Sequence, residues 1–311
     1  MDLTVAESIV STTPQLQTIG KITYLDEGYS DDEKYVLWED TEPKYLLRIS
    51  ALDSAPRREA EHKLLRTLAD AGIRCSNSYL FGITQTGNAC YTLLSYIAGR
   101  SAEKELPLLL AAQQYEIGLE AGKELRRLHH FSHPDQQADY AARRIEKYER
   151  YGMTARDLGI TFQHQTEVHR YIEQHYSDLG KAPCRLQHDD YHVGNLIVLN
   201  GQFAGIIDFN RCDWGDPLED FYKLPWFSAP VSLPFARGQV DGYLSAGIIQ
   251  DFWPRYNLFV ALSLQSSLVW AHRTYPEHTG LFRKRVEEIV NTHDFKEDGP
   301  PAWYEQDAQR Q

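Results

Sequence analysis

The chain has 311 residues, 42% of them hydrophobic and 24% charged, the balance of a soluble protein with a buried core rather than of a disordered chain. Its 32 basic and 44 acidic residues leave a net charge of −12, which argues against a nucleic-acid backbone as partner and suits a cationic ligand. The longest apolar runs, Leu108–Ala112 and Leu258–Leu264, are far too short to span a membrane, so no membrane partner is expected. The opening MDLTVAESIV lacks a basic start and a long apolar stretch, and a cytoplasmic location is the resulting expectation. The four cysteines, Cys75, Cys90, Cys184 and Cys212, are too scattered for a zinc knuckle or a redox pair.

In chain order, Ile19–Leu25 and Tyr35–Trp38 read as short strands around a turn containing Gly28. Tyr45–Ile49 is a third strand. Arg57–Ala71 has apolar residues at helical spacing and Gly72 as a stop. Tyr79–Ile83 and Ala89–Leu94 read as two further strands. Past residues 95–99 the pattern turns helical, beginning with Leu108–Phe131, where Pro107 suits a helix start. Gly118 and Gly122 lie one turn apart on that helix and point to close packing against a neighbour. Helices near Ala141–Tyr151 and Thr166–Tyr176 precede a strand-rich patch, Arg185–Phe209, and the remainder is mostly helical to about Asn291. The reading is an α+β chain with a small β-rich lobe, 1–95, and a larger, mostly helical lobe, 96–311.

The chemistry concentrates in His188-Asp189-Asp190-Tyr191-His192-Val193-Gly194-Asn195, followed by two apolar strands around Asn200-Gly201 and then Ile207-Asp208-Phe209. Phosphoryl transfer to a hydroxyl needs a carboxylate to orient the acceptor, plus an amide oxygen and a second carboxylate to hold Mg²⁺ against the nucleotide phosphates. Asp190, Asn195 and Asp208 supply those types in that order.

This pattern resembles the aminoglycoside phosphotransferase and choline kinase-like family, small-molecule relatives of protein kinases. His188–Asn195 is similar to its His-Gly-Asp-Leu-His-Pro-Gly-Asn signature, Ile207–Phe209 to its metal-binding Ile-Asp-Phe/Trp, and Gly215–Asp220 to its Gly-Asp-Pro and acidic residue. The resemblance implies a bilobal protein kinase-like fold. It makes Asp190 the catalytic base, His188 a brace for the loop, and Asn195 and Asp208 the ligands of Mg²⁺. Two residues depart from the pattern, Asp189 in place of Gly and Val193 in place of Pro. An extra carboxylate beside the base would raise its pKa if both faced one cavity, but neighbours in an extended loop point apart. For His192, bracing the loop competes with a chemical role.

At the nucleotide end the resemblance implies that Arg48 holds the α- and β-phosphates of ATP or GTP, with Glu59 as the orienting acid and Glu61 its competitor. A basic residue ending an edge strand is the plainer reading of Arg48. Gly28 and Ser30 fall where a phosphate-covering loop belongs, and Ser95 and Ile97 where backbone groups would read adenine. After the metal aspartate, Asp216 is placed to cap a helix starting at Pro217, and Asp220 to hold the catalytic loop from beneath. The carboxylate-rich stretch Asp213–Asp220 suits an amine-bearing acceptor, with Trp226, Trp270 and the Tyr243 region as candidate aromatic faces. The expected function is nucleotide-dependent phosphorylation of a small hydroxylated molecule, an aminoglycoside-like antibiotic first. A metabolic kinase of choline, an amino alcohol or a sugar, and a nucleotide-binding module without turnover, are the alternatives. Asp208-Phe209-Asn210 in place of Asp-Phe-Gly, and no Ala-Pro-Glu, weigh against a protein kinase.

Overall fold

The computed structural model describes residues 3–26, 32–132 and 140–305. They form two compact units, 1–100 with 197–210, and 101–196 with 211–311. The first unit carries an antiparallel sheet of β1 (Lys21–Tyr24), β2 (Glu33–Glu39), β3 (Glu42–Ala51), β4 (Ser78–Ile83) and β5 (Ala89–Ser95), in the order β1-β2-β3-β5-β4. Strand alternation divides its side chains between two faces. Tyr35, Leu37, Leu47, Ile49 and Leu93 gather on one, against Ala6 and Ile9 of the helix α1 (Thr4–Thr12). Arg48 and Ser50, the intervening residues of β3, are also buried and meet α2 (Ala55–Asp70). Sequence periodicity did not find α1.

The expectation from sequence is a single cut between residues 95 and 96, and the compact units divide the chain differently. The first unit runs on to Arg100, and it takes in 197–210, which holds all but Leu196 of the hairpin strands Leu196–Leu199 and Gln202–Ile206. Backbone bonding is the reason: Ile206 N–H donates to Arg74 O at 2.8 Å, and Cys75 bridges Ile206 in parallel.

The second unit is mostly helical. Its helix Ala111–Leu128 starts later than Pro107 suggests, because Leu106–Leu108 closes as a 3₁₀ turn and Leu110 is extended. It packs on Leu233–Leu244 almost backbone to backbone. A Cβ at Gly118 would lie 2.2 Å from Phe235 O, and one at Gly122 2.0 Å from Gln239 O. Gly238 and Gly242 return the fit against Tyr115 O and Leu119 O. Only glycine permits this approach. The long helix Phe252–Thr274 is buried along most of its length and packs on Tyr140–Asp157, Gln165–His175 and Thr279–Thr292. The terminal Ala302–Glu305 docks on the helical body, where Arg237 holds Trp303 O and Tyr304 hydroxyl donates to Asp241. No described helix is long and apolar enough to cross a membrane.

Candidate active site

The loop 188–195 leaves the short strand Arg185–Gln187, which pairs antiparallel with Asp213–Gly215. Its backbone is fixed from below by Asp220. One oxygen of that carboxylate accepts the His188 N–H at 2.8 Å and the other accepts the Asp189 N–H at 2.7 Å. Asp220 in turn lies 3.0 Å from His129 Nε2, and His129 Nδ1 lies 2.8 Å from Tyr243 hydroxyl. Asp216 accepts the Leu218 N–H at 2.9 Å and so caps the turn beginning at Pro217. Arg255 anchors the same carboxylate, with Nε 3.0 Å from Oδ2.

His188 is fully buried, and its Nδ1 accepts the Asp190 N–H at 3.3 Å across the bend of the loop. The Asp190 carboxylate is held on both oxygens. Lys223 Nζ is 2.7 Å from Oδ1, with His192 Nε2 at 3.6 Å from the same atom. Asn195 Nδ2 donates to Asp190 O at 2.9 Å and to Oδ2 at 3.3 Å. His192 Nδ1 accepts the Gly194 N–H at 3.1 Å, so the neutral ring carries its proton on Nε2, facing Asp190. Its ring stacks on Phe227 at 4.6 Å. These contacts place His192 as a brace of the loop.

Burial alone would raise the Asp190 carboxyl, but the neighbouring His192 ring and the charge and hydrogen bond of Lys223 hold it well below the usual carboxylate range. Asp189 behaves in the opposite sense. Burial, together with the charges of Glu219 and Asp220, raises it against the pull of Lys223 and Lys147. The two neighbours are separated by backbone geometry, since Asp189 sits at φ 58° and turns its side chain toward a cavity of about 110 Å³. Arg144, Lys147, Gln187 and Glu219 share that cavity, in which Arg144 pairs with Glu219 at 2.6 Å.

In the first unit, Arg48 Nη2 donates to Glu61 Oε2 at 2.7 Å, and both side chains are almost fully buried. Arg58 Nη1 reaches the same oxygen at 2.8 Å and also pairs with Asp32. Arg48 Nε is buried without a hydrogen-bond partner. The partner expected at Glu59 is therefore corrected to Glu61: Glu59 is about half exposed and pairs with Lys63. Helical phase explains this, because Arg58, Glu61, Leu65 and Leu68 form the inward face of α2.

At the end of β5, the Ser95 N–H donates to Asn77 O at 2.8 Å. Ile97 keeps both its N–H and C=O free of protein partners among the described residues. Gly28 and Ser30 lie outside the described residues. Trp226 and Tyr243 are core residues, and of the three aromatic candidates only Trp270 is substantially exposed, at 39%.

Asn195 commits its amide nitrogen to Asp190, which leaves its carbonyl oxygen for a cation. Asp208 stands in the first unit at φ 66°, and no described residue donates to its carboxylate. Each, within its own unit, is an oxygen donor of a kind that suits Mg²⁺. No group of three or more His, Cys, Asp or Glu side chains among the described residues forms a closed metal cage, as a transition-metal site would.

The family described as APH, phosphotransferase enzyme family, matches residues 21–259. The chain belongs to this phosphotransferase family. Its fold is similar to that of aminoglycoside phosphotransferase APH(2'')-Ib solved with ADP, at 19% identity and TM-score 0.63 over 93% of this chain and 96% of that one. The gentamicin complex of APH(2'')-IIa aligns at 16% identity and TM-score 0.63, covering 98% of both chains. Wild-type aminoglycoside 2'-phosphotransferase-IIIa with GDP aligns at 15% identity and TM-score 0.66, over 91% of this chain and 96% of that one. Among curated proteins none matches the sequence. The structural likeness is one of fold: a β-sheet unit early in the chain and a helical unit after it, as the sequence pattern implied.

The element missed entirely by sequence reasoning is Lys223. It sits in the apolar run Phe221-Tyr222-Lys223-Leu224-Pro225-Trp226 and its side chain is only 7% exposed. A lone lysine inside such a run is the one signal that could have flagged it.

Proposed function

We propose that this phosphotransferase moves the γ-phosphoryl group of ATP or GTP to a hydroxyl of a small molecule, with an aminoglycoside-like antibiotic as the leading acceptor. The observation that carries this reading is the Asp190 carboxylate, ionised and clamped on both oxygens within the 188–195 loop. A carboxylate held this acidic accepts a hydrogen bond from the acceptor hydroxyl and fixes its line of attack more than it removes the proton. The oxygen–phosphorus bond to the acceptor forms as the bond to the β-phosphate breaks, and the nucleoside diphosphate leaves. Arg48, oriented by Glu61 and with Nε unspent, is suited to the α- and β-phosphates. Asn195 and Asp208 are suited to Mg²⁺, which supplies charge neutralisation at the phosphates. The adenine or guanine edge falls to Ile97. The net charge of −12 favours a polycationic acceptor, as do the gentamicin and streptomycin bound in two of the similar structures.

A second reading, a metabolic kinase of an amino alcohol or sugar, draws on one observation. The cavity at Asp189 sets Arg143, Arg144 and Lys147 against Asp189, Asp213 and Glu219, a balance of charge that suits a smaller and less charged acceptor than a polycation.

Nucleotide consumption with Mg²⁺ across aminoglycosides, choline, amino alcohols and simple sugars separates the readings. Turnover on aminoglycosides that drops about a thousandfold in Asp190→Asn supports the first. Turnover confined to choline, amino alcohols or simple sugars selects the second, and turnover retained in Asp190→Asn removes Asp190 from its role.

A further inference from the structure

Within the helical unit, one segment, Asp216–Lys223, reaches the catalytic loop at three points. Asp220 takes the N–H groups of His188 and Asp189, and Lys223 reaches past them to the Asp190 side chain. Lys223 is enclosed. Its ammonium lies 5.0 Å from the Tyr222 ring centroid and 5.4 Å from that of Phe227. Among the described residues its one close anionic contact is Asp190 Oδ1, at 2.7 Å. A buried ion pair of this kind is weak as a source of stability, because desolvation offsets most of the attraction. It is strong as a geometric restraint: with Asn195 on Oδ2, it leaves the carboxylate one orientation.

We propose that Lys223 is the positioning residue of the transfer, its ammonium holding the Asp190 carboxylate in the orientation that receives the acceptor hydroxyl. This rests on Asp190 being the acceptor-orienting group. Lys223 acts through Asp190 and touches neither substrate. The other charged and titratable groups around the pair, His192, Asp189 and Tyr222, do not replace it. His192 stands 3.6 Å from Oδ1, beyond hydrogen-bond reach, Asp189 acts on the ammonium rather than on Asp190, and Tyr222 flanks the ammonium itself.

The test is a double-mutant cycle with Lys223→Met, Lys223→Arg, Asp190→Asn and the Asp190→Asn/Lys223→Met pair, all in the full chain. Lys223→Met lowers kcat about 100-fold, the loss typical of a misplaced reacting group, while KM for nucleotide and acceptor stays within about threefold. Lys223→Arg, which keeps the charge and the reach, restores a large part of kcat. In the Asp190→Asn background, Lys223→Met has no further effect on kcat. A full additional loss in that background means that Lys223 acts independently of Asp190 and overturns the proposal. So does wild-type kcat in Lys223→Met. A crystal structure of Lys223→Met supplies a readout without turnover. The proposal requires Asp190 to rotate and its Oδ2 contact with Asn195 to open, and an unmoved carboxylate overturns it. That measurement stands even if the wild-type chain turns over no acceptor in the panel, an outcome that would remove the proposed function instead.

Discussion

Asp220 and His129 meet 3.0 Å apart, with side chains 0% and 2% exposed, directly behind the 188–195 loop. Each carboxylate oxygen of Asp220 also carries one loop N–H, from His188 or Asp189. Hydrogen bonds to a charged acceptor contribute about 2 kcal/mol each, and a buried donor stripped of its partner is costly. Asp220→Ala is therefore expected to lower unfolding stability by about 4 kcal/mol and kcat by about 100-fold. Urea unfolding of the variant checks the first value and steady-state kinetics the second. Undiminished stability would mean that the loop is held by its own turns.

Glu61 and Glu59 differ by only two positions, slightly more than half a turn of helix, so they face different surroundings. Glu61 shares its carboxylate between Arg48 and Arg58, whereas Glu59 contacts Lys63 near solvent. Glu61→Gln weakens nucleotide binding by about tenfold, because the amide no longer anchors two guanidiniums. Glu59→Gln leaves binding within about twofold, as an exposed helix pair contributes little. Calorimetric titration with ADP and Mg²⁺ measures both. The reverse ranking would return the orienting role to Glu59.

Asp189 occupies the left-handed region at φ 58°, where a non-glycine side chain is strained by about 1 kcal/mol. Its carboxyl is raised by burial and by the neighbouring Glu219 and Asp220 charges. An acid raised in the folded state favours folding at low pH, and that contribution is lost as pH rises through the folded value. Asp189→Gly removes both the strain and the buried charge. It is expected to stabilise the protein by about 1 kcal/mol at pH 5 and by more at pH 8. Denaturation midpoints at the two pH values decide this, and a variant less stable than wild type at pH 8 would show that the carboxylate is held by a stabilising pair.

The parts of the site legible in the sequence are those whose spacing is local. His188, Asp190 and Asn195 lie within eight residues, and the loop that joins them brings them together without help from elsewhere. Gly118 and Gly122 were readable for the same reason, one turn apart on one helix face, where their contacts with Phe235 and Gln239 confirm close packing. Glu61 was within reach too. It lies one helical turn before Leu65 and two before Leu68, so its inward phase follows from the apolar stripe. Lys223 was out of reach because its partner is 33 positions away, and only the turn at Pro217 and the Asp220 anchor bring it beneath Asp190. The return of 197–210 to the first unit was hidden likewise, since it depends on backbone bonds to Arg74 that no side-chain pattern announces.

His293 lies in the core of the helical unit, 3% exposed, with Nδ1 2.9 Å from Ile289 O and Nε2 3.0 Å from Tyr256 hydroxyl. The carbonyl requires a proton on Nδ1, so Nε2 of the neutral ring accepts from Tyr256. A second proton on Nε2 would face that hydroxyl in a site closed to water. Burial accordingly lowers the pKa to about 4, against the small opposing effect of the Ile289 carbonyl. Above the ordinary value of 6.5 neither state binds the proton and stability is complete. As pH falls below 6.5 the unfolded chain takes up a proton that the folded one refuses, and stability declines until about pH 4. Between pH 7 and 5 the loss assigned to this residue is about 2 kcal/mol. His293→Gln keeps a donor for Ile289 and an acceptor for Tyr256 but cannot be protonated. The variant should therefore lose less stability than wild type over that interval by about that amount, read from urea unfolding at both pH values. Equal losses in the two proteins would place the acid sensitivity elsewhere and leave His293 as a packing residue alone.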